Sequence, residues 1–111
     1  MDLIIEERRA AHDVYVLDLA GEVDIASSAK LREALGDVIE RGHHDLVVNL
    51  ERVRHIDSTG LGVLVRSLKN VRERGGNITL VCSDPQLRKL LELTGIAKLF
   101  EGTGKLPKAT T

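Results

Sequence analysis

The segment RHIDSTGLGVLV, residues 54–65, holds residue types whose spacing could support chemistry. It contains one carboxylate, two hydroxyls and two glycines, at Asp57, Ser58, Thr59, Gly60 and Gly62. The apolar residues before this segment are typical of a buried strand, and those after it are typical of a helix that begins near Ser58. Ser58 could therefore be a nucleophile, a phosphate-binding group, a phosphate acceptor or part of a helix cap.

Catalysis by Ser58 is disfavoured by the residues around it. A serine nucleophile needs a general base, and the hydrolase pattern G-x-S-x-G is absent because residue 56 is Ile. A phosphate-cradling loop needs G-x-G-x-x-G or G-x-x-x-x-G-K-[ST]. Gly60-Leu61-Gly62 lacks the third glycine and lies inside the predicted helix. We therefore predict that the chain is not an enzyme and has no catalytic residues.

A helix cap and a phosphate acceptor remain as interpretations of Ser58. If Asp57 is the N-cap, Ser58 occupies the first helical position and its hydroxyl points outward. Each glycine costs about 1 kcal/mol of helix propensity relative to alanine, and the two would leave the surface beside Ser58 open to another molecule. A phosphate on Ser58 would add about −1.5 to −2 charge at pH 7. It would block a partner docked over Gly60-Leu61-Gly62 while the fold survives.

The elements that must position this segment alternate along the chain. Runs of strand-forming residues predict four strands, at 3–5, 14–19, 45–50 and 77–82. Gly21 is predicted to end the second strand. Helical spacing and capping residues predict three helices, which begin near 24–28, at 58 and near 83–86. Residues 96–100 would add either a last helical turn or a short edge strand.

This order predicts an α/β fold with a mixed, mostly parallel sheet. The first two strands would form an antiparallel hairpin, and the strands that alternate with helices would be parallel. We expect four to five strands and three to four helices in one domain over residues 1–101. Residues 102–111 are predicted to be a flexible C-terminal tail.

Composition limits the classes of partner and of site. The 111 residues include 16 basic and 17 acidic residues, a formal net charge of −1, which favours neither nucleic acid nor an anionic membrane. Aromatic residues make up only 2%, too few for platforms that stack single-stranded nucleic acid. A single cysteine, Cys82, fits a reducing compartment. We predict a cytoplasmic protein with no membrane span and no cofactor, and His43-His44 lacks the further ligands of a metal site.

One block of residues resembles the signature of a known protein family. The block Asp57-Ser58-Thr59-Gly60-Leu61-Gly62, after an apolar strand, resembles the signature of bacterial anti-sigma factor antagonists of the STAS domain family. Three further segments stand where that family has similar ones: Gly21-Glu22-Val23-Asp24, Gly75-Gly76 and Leu93-Thr94-Gly95-Ile96. The resemblance covers roughly residues 3–101.

The resemblance implies a function and a set of partners. Such a protein binds an anti-sigma factor that is also a serine kinase, which releases a sigma factor and permits transcription. The kinase phosphorylates the motif serine, here Ser58, and binding ends until a PP2C-type phosphatase removes the phosphate. The implied partner surface comprises Asp24, Asp57, Ser58, Thr59, Gly60, Leu61 and Gly62. Asp24 could equally be a helix N-cap, and Thr59 is a second possible acceptor.

Other roles stay open on the sequence alone. A STAS-like chain could be a scaffold subunit of a signalling assembly or an accessory subunit of a membrane transporter. It could be a monomer or a weak dimer. The basic residues of the second predicted helix, Arg66, Lys69, Arg72 and Arg74, could form a solvated face or help an acidic partner to dock.

Overall fold

Four strands form one mixed sheet in the computed structural model, which describes residues 2–100. They are β1 (Ile4–Arg9), β2 (Tyr15–Val23), β3 (Asp45–Ile56) and β4 (Asn77–Val81). Their order across the sheet is β1-β2-β3-β4; β1 is antiparallel to β2, and the other neighbours are parallel. The four α-helices of the described residues are α1 (Ile25–Glu40), α2 (Ser58–Glu73), α3 (Pro85–Leu93) and α4 (Ile96–Phe100). The predicted α/β fold with its hairpin is confirmed, and the predicted tail, 102–111, lies outside the described residues.

The main core lies between one face of the sheet and the helices. Alternate residues of each strand enter it, among them Leu17, Leu19, Leu46, Val48, Leu50, Ile78 and Leu80. The stripes of α1 and α2 meet them with Leu31, Leu35, Val38, Ile39, Leu61, Leu64, Leu68 and Val71. Full burial of one such side chain contributes about 1.5–3 kcal/mol. Burial of these stripes therefore fixes how both helices lie on the sheet.

The predicted ends of β2 and β3 are wrong, because both strands continue further. Gly21 lies inside β2, at φ +109° next to a break in the pairing register. A side chain at Gly21 would clash with the carbonyl of Asp2. The second half of β3 has exposed polar residues, and its register with β2 shifts, so it shows no apolar run. As a result both strands end directly at the residues that start the next helices.

Residues 96–100 resolve the choice left open by the sequence. They form α4, a helix of 5 residues, and not an edge strand. Ile96 and Phe100 are both buried in the main core. Residues four apart lie on one face of a helix, so this spacing anchors α4. No helix within residues 2–100 has the length and apolar character needed to cross a membrane.

A polar network joins three strands on the sheet face opposite the helices. Arg8 Nε donates to Asp18 Oδ2 at 2.6 Å, and Asn49 Nδ2 donates to Asp18 Oδ1 at 2.7 Å. Burial by itself would raise the pKa of Asp18, but the hydrogen bonds from Arg8 and Asn49 outweigh it and hold that pKa below its usual value. Asp18 thus links β1 and β3 through the strand between them.

Asp18→Asn is expected to lower the free energy of unfolding by about 1 kcal/mol at pH 7, because a partly exposed charged hydrogen bond is weakened. Since the folded pKa is below the unfolded one, the carboxylate stabilises fully above the unfolded pKa, about 3.9. That contribution is lost as the pH falls through the folded pKa. Urea denaturation at pH 7 and pH 3 measures the difference, with Glu6→Gln, on the adjacent strand, as control. A difference for Asp18→Asn that stays the same at both pH values would contradict this role.

Candidate functional site

Two aspartates cap α1 and α2, the helices that follow the carboxyl ends of β2 and β3. Asp57 Oδ1 accepts a hydrogen bond from the Gly60 N–H at 3.1 Å and caps α2. Asp24 Oδ1 accepts from the Ser27 N–H at 3.0 Å, and Ser27 Oγ accepts from the Asp24 N–H at 3.0 Å. These bonds satisfy backbone groups that a helix N-terminus leaves without partners. Hydrogen bonds from Ser27 also hold the pKa of Asp24 below its usual value.

The pairing of β2 with β3 brings the two caps together. Val23 and Ile56, the last residues of these strands, are register partners. The Asp57 N–H donates to the Val23 carbonyl at 3.0 Å, so the pairing continues one residue beyond β3. Helices in contact lie about 8–10 Å apart, and α1 and α2 pack against each other. Asp24 and the Asp57–Gly62 segment therefore share one edge of the molecule.

Ser58 is the first residue of α2 and its side chain is exposed. Within residues 2–100 its hydroxyl makes no hydrogen bond. Thr59 is only partly exposed. Of the two hydroxyl residues, Ser58 is the more exposed.

The two glycines of the segment have different surroundings. Gly60 is buried, and a Cβ there would lie 2.5 Å from Val23 Cγ1 and 3.0 Å from Ile56 Cγ1. Gly62 is partly exposed, and outside the backbone of α2 the nearest atoms to a Cβ there belong to the Arg66 guanidinium, with Nη1 at 3.3 Å. The interpretation that both glycines open the surface beside Ser58 is therefore wrong for Gly60, which is small because α2 packs closely on the strands.

The segment predicted to bind a partner is divided between surface and core. Leu61 is 7% exposed and belongs to the main core. Gly60 is also buried. The residues of that set with exposed or partly exposed surface are Asp24, Asp57, Ser58, Thr59 and Gly62. These five residues form the accessible part of the predicted surface, and Gly60 and Leu61 position them.

One apolar residue of this edge was missed by the sequence analysis. Ile25, the first residue of α1, is 77% exposed beside the Asp24 cap. The available signal is its place outside the buried stripe that continues along α1 with Leu31 and Leu35. A single exposed apolar side chain is common on protein surfaces, so Ile25 belongs to the candidate site only through its position beside Asp24.

The chain was compared with known families, proteins and structures. The STAS domain family model matches residues 7–109. The chain belongs to the STAS domain family. This STAS domain is 34% identical over 105 residues to the anti-sigma-B factor antagonist of Bacillus subtilis (strain 168). The aligned residues cover 95% of this chain and 94% of that protein.

Solved structures agree with this assignment. An anti-sigma factor antagonist from Mycobacterium paratuberculosis superimposes with a TM-score of 0.85 at 26% identity, over 95% of this chain and 88% of that one. A putative anti-sigma factor antagonist from Thermotoga maritima gives a TM-score of 0.79 at 26% identity, over 86% and 81%. The family resemblance inferred from the sequence is confirmed. Within residues 2–100 of this STAS domain, no three His, Cys, Asp or Glu side chains are grouped so that they could hold a metal ion.

Alanine at each glycine tests their different roles. Gly60→Ala is expected to lower the free energy of unfolding by about 1–2 kcal/mol, because overpacking against Val23 exceeds the gain in helix propensity. Gly62→Ala is expected to raise it by about 0.5–1 kcal/mol, because only a flexible guanidinium must shift. Urea denaturation of the two variants and the parent measures both effects. Equal effects of the same sign would show that the two positions do not differ as described.

Proposed function

We propose that this STAS domain is an anti-sigma factor antagonist switched by phosphorylation of Ser58. In this proposal it binds an anti-sigma factor that is a serine kinase, and the sigma factor is released. The exposed, unbonded hydroxyl of Ser58, at the point where two helices start side by side, is the observation that carries the proposal. The similarity to anti-sigma-B factor antagonists supports the same class of function.

The switch follows from charge at a contact surface. A phosphate on Ser58 adds about −1.5 to −2 charge at pH 7, next to the carboxylates of Asp57 and Asp24 on the same edge. A partner that docks over this edge would have to desolvate the phosphate or meet it directly, at a cost of several kcal/mol. Because Ser58 is exposed and its hydroxyl supports no other group of the described chain, the domain itself stays folded.

Ile25 supplies the apolar part of the proposed docking surface. Most binding energy at an interface comes from a few residues that become fully buried. Ile25 is the large apolar side chain exposed at the start of α1, beside Asp24 and across from the start of α2. We place Ile25 at the centre of the contact and Asp24, Asp57, Thr59 and Gly62 around it. The phosphorylation state of Ser58 would then control whether the partner binds.

The remaining parts of the proposal concern the protein as a whole. We propose that it acts in the cytoplasm as a binding protein and not as an enzyme, with a PP2C-type phosphatase that removes the phosphate. The folded unit is proposed to span residues 1–101 and to be followed by a flexible tail, 102–111. A monomer suffices for this mechanism, because every residue of the docking surface belongs to one chain.

Ser58→Ala is expected to capture the kinase partner from a host extract, and Ser58→Asp is expected to lose it, because the added carboxylate imitates part of the phosphate charge. Ser58→Asn is the matched control, since it has nearly the shape of aspartate without the charge, and it should retain the partner. Mass spectrometry of the captured proteins reads the result, and circular dichroism checks that all three baits are folded. Equal capture by the Ala and Asp baits would refute the switch and favour a scaffold or transporter subunit.

Ile25→Ser is expected to weaken binding of the captured kinase at least 10-fold, about 1.4 kcal/mol, with little change in stability because the side chain is already exposed. Leu93→Ser is the matched control, since Leu93 is 76% exposed but lies on α3. Isothermal titration calorimetry with the purified kinase measures both variants. Equal losses in the two variants would remove Ile25 from the docking surface.

A further inference from the structure

The guanidinium of Arg66 lies over Gly62. A Cβ built on Gly62 would be 3.3 Å from Arg66 Nη1, 3.7 Å from Nη2 and 3.8 Å from Cζ. Helical side chains lean toward the helix N-terminus, and Arg66 does so by a full turn. The guanidinium therefore stands at the place that a side chain at position 62 would otherwise occupy.

This place is one helical turn from Ser58. Residues 58, 62 and 66 follow at i, i+4 and i+8 on one side of α2. Residues four apart have Cβ atoms about 5–6 Å from each other, and Arg66 Nη1 is 3.3 Å from the Cβ position of Gly62, so the guanidinium lies within about 9 Å of the Cβ of Ser58. A phosphate on the Ser58 oxygen would project from this Cβ, and a small rotation could bring its oxygens within hydrogen-bond distance of Arg66.

Arg66 is available for such a contact. It is exposed, and within residues 2–100 its side chain has no ion pair or hydrogen bond. By contrast, Arg8 and Arg41 are each paired with a carboxylate. Arg66 is also the first cation of α2, whose opening residues are STGLGVLVR. Of the cations of α2 it is thus the nearest in sequence to Ser58 and Asp57, and it can offset the repulsion between a phosphate and Asp57.

We propose that Arg66 binds the phosphate of phosphorylated Ser58, through the space that Gly62 leaves open. The inference rests on the proposed function only in taking Ser58 as the acceptor. Arginine suits this role because its planar guanidinium can donate two hydrogen bonds to a phosphate. The contact holds the modified side chain along α2. It also gives Gly62 a reason to be glycine that Gly60 does not share.

The test uses the full chain with phosphoserine placed at position 58 by codon suppression, so that no kinase is needed. Phosphorus NMR across pH 4–9 gives the second pKa of the phosphate. A neighbouring cation favours the dianion and lowers this pKa. We expect Arg66→Gln to raise it by about 0.5–1 pH unit at low salt. Arg66→Lys should keep part of the lowering, since it retains the charge but not the planar fork.

Two further variants separate a direct contact from a general effect of charge. Lys69→Gln removes a cation on the same side of α2 but about three turns from Ser58, and it should move the pKa by less than about 0.2 units. Gly62→Leu keeps Arg66 but fills the space over position 62, and it should raise the pKa as Arg66→Gln does. A pKa that is unchanged in Arg66→Gln, or raised equally in Lys69→Gln, overturns the proposal.

The outcome is distinguishable from failure of the proposed function. The titration involves no partner, so a raised pKa in Arg66→Gln supports the contact even if Ser58→Ala and Ser58→Asp capture the same proteins. Conversely, partner capture could depend on residue 58 while the phosphate pKa is unchanged in Arg66→Gln. That combination would overturn this inference and leave the proposed switch in place.

Discussion

The parallel pairing of β2 with β3 up to their last residues is the constraint on which the site depends. Val23 pairs with Ile56, and the Asp57 N–H continues the pairing by bonding to the Val23 carbonyl. Each strand is then followed at once by a capping aspartate and a helix. Had either strand ended a few residues earlier, a loop would separate sheet and helix, and the two helix starts would not share one rigid edge.

Two glycines two residues apart meet opposite physical demands. Gly60 faces inward, where Val23 and Ile56 leave no volume for a methyl group. Gly62 faces outward, where the guanidinium of Arg66 uses the open space. A glycine in a helix always costs conformational entropy, and here that cost is offset once by close packing of α2 on the sheet. At Gly62 no contact within the described fold offsets the entropy cost. The reason for a glycine there must therefore lie in the phosphorylated state or in a complex.

The sequence was sufficient for the order of elements and not for their ends. Periodicity and capping residues predicted the hairpin, the helices and Asp57 as a cap, because these signals are local. The second half of β3 was not predicted as strand, because Arg52, Arg54 and His55 are exposed and the register with β2 shifts there. The burial of Gly60 was not predicted for a different reason. It depends on which side of α2 meets Val23, a residue that lies 37 positions earlier in the chain.

The arrangement separates the residues that hold the fold from those that would change state. Asp24 and Asp57 use their carboxylates on backbone N–H groups, and Gly60 and Leu61 are inside, so these four fix the edge. The hydroxyl of Ser58, the side chain of Ile25 and the guanidinium of Arg66 point outward and hold nothing else in place. A charge added at Ser58 can then alter what binds the edge without altering the edge. A domain of this size has a free energy of unfolding of only about 5–15 kcal/mol. Because the side chains of the proposed switch contribute little to that stability, Ser58 can be phosphorylated and dephosphorylated repeatedly without unfolding the domain.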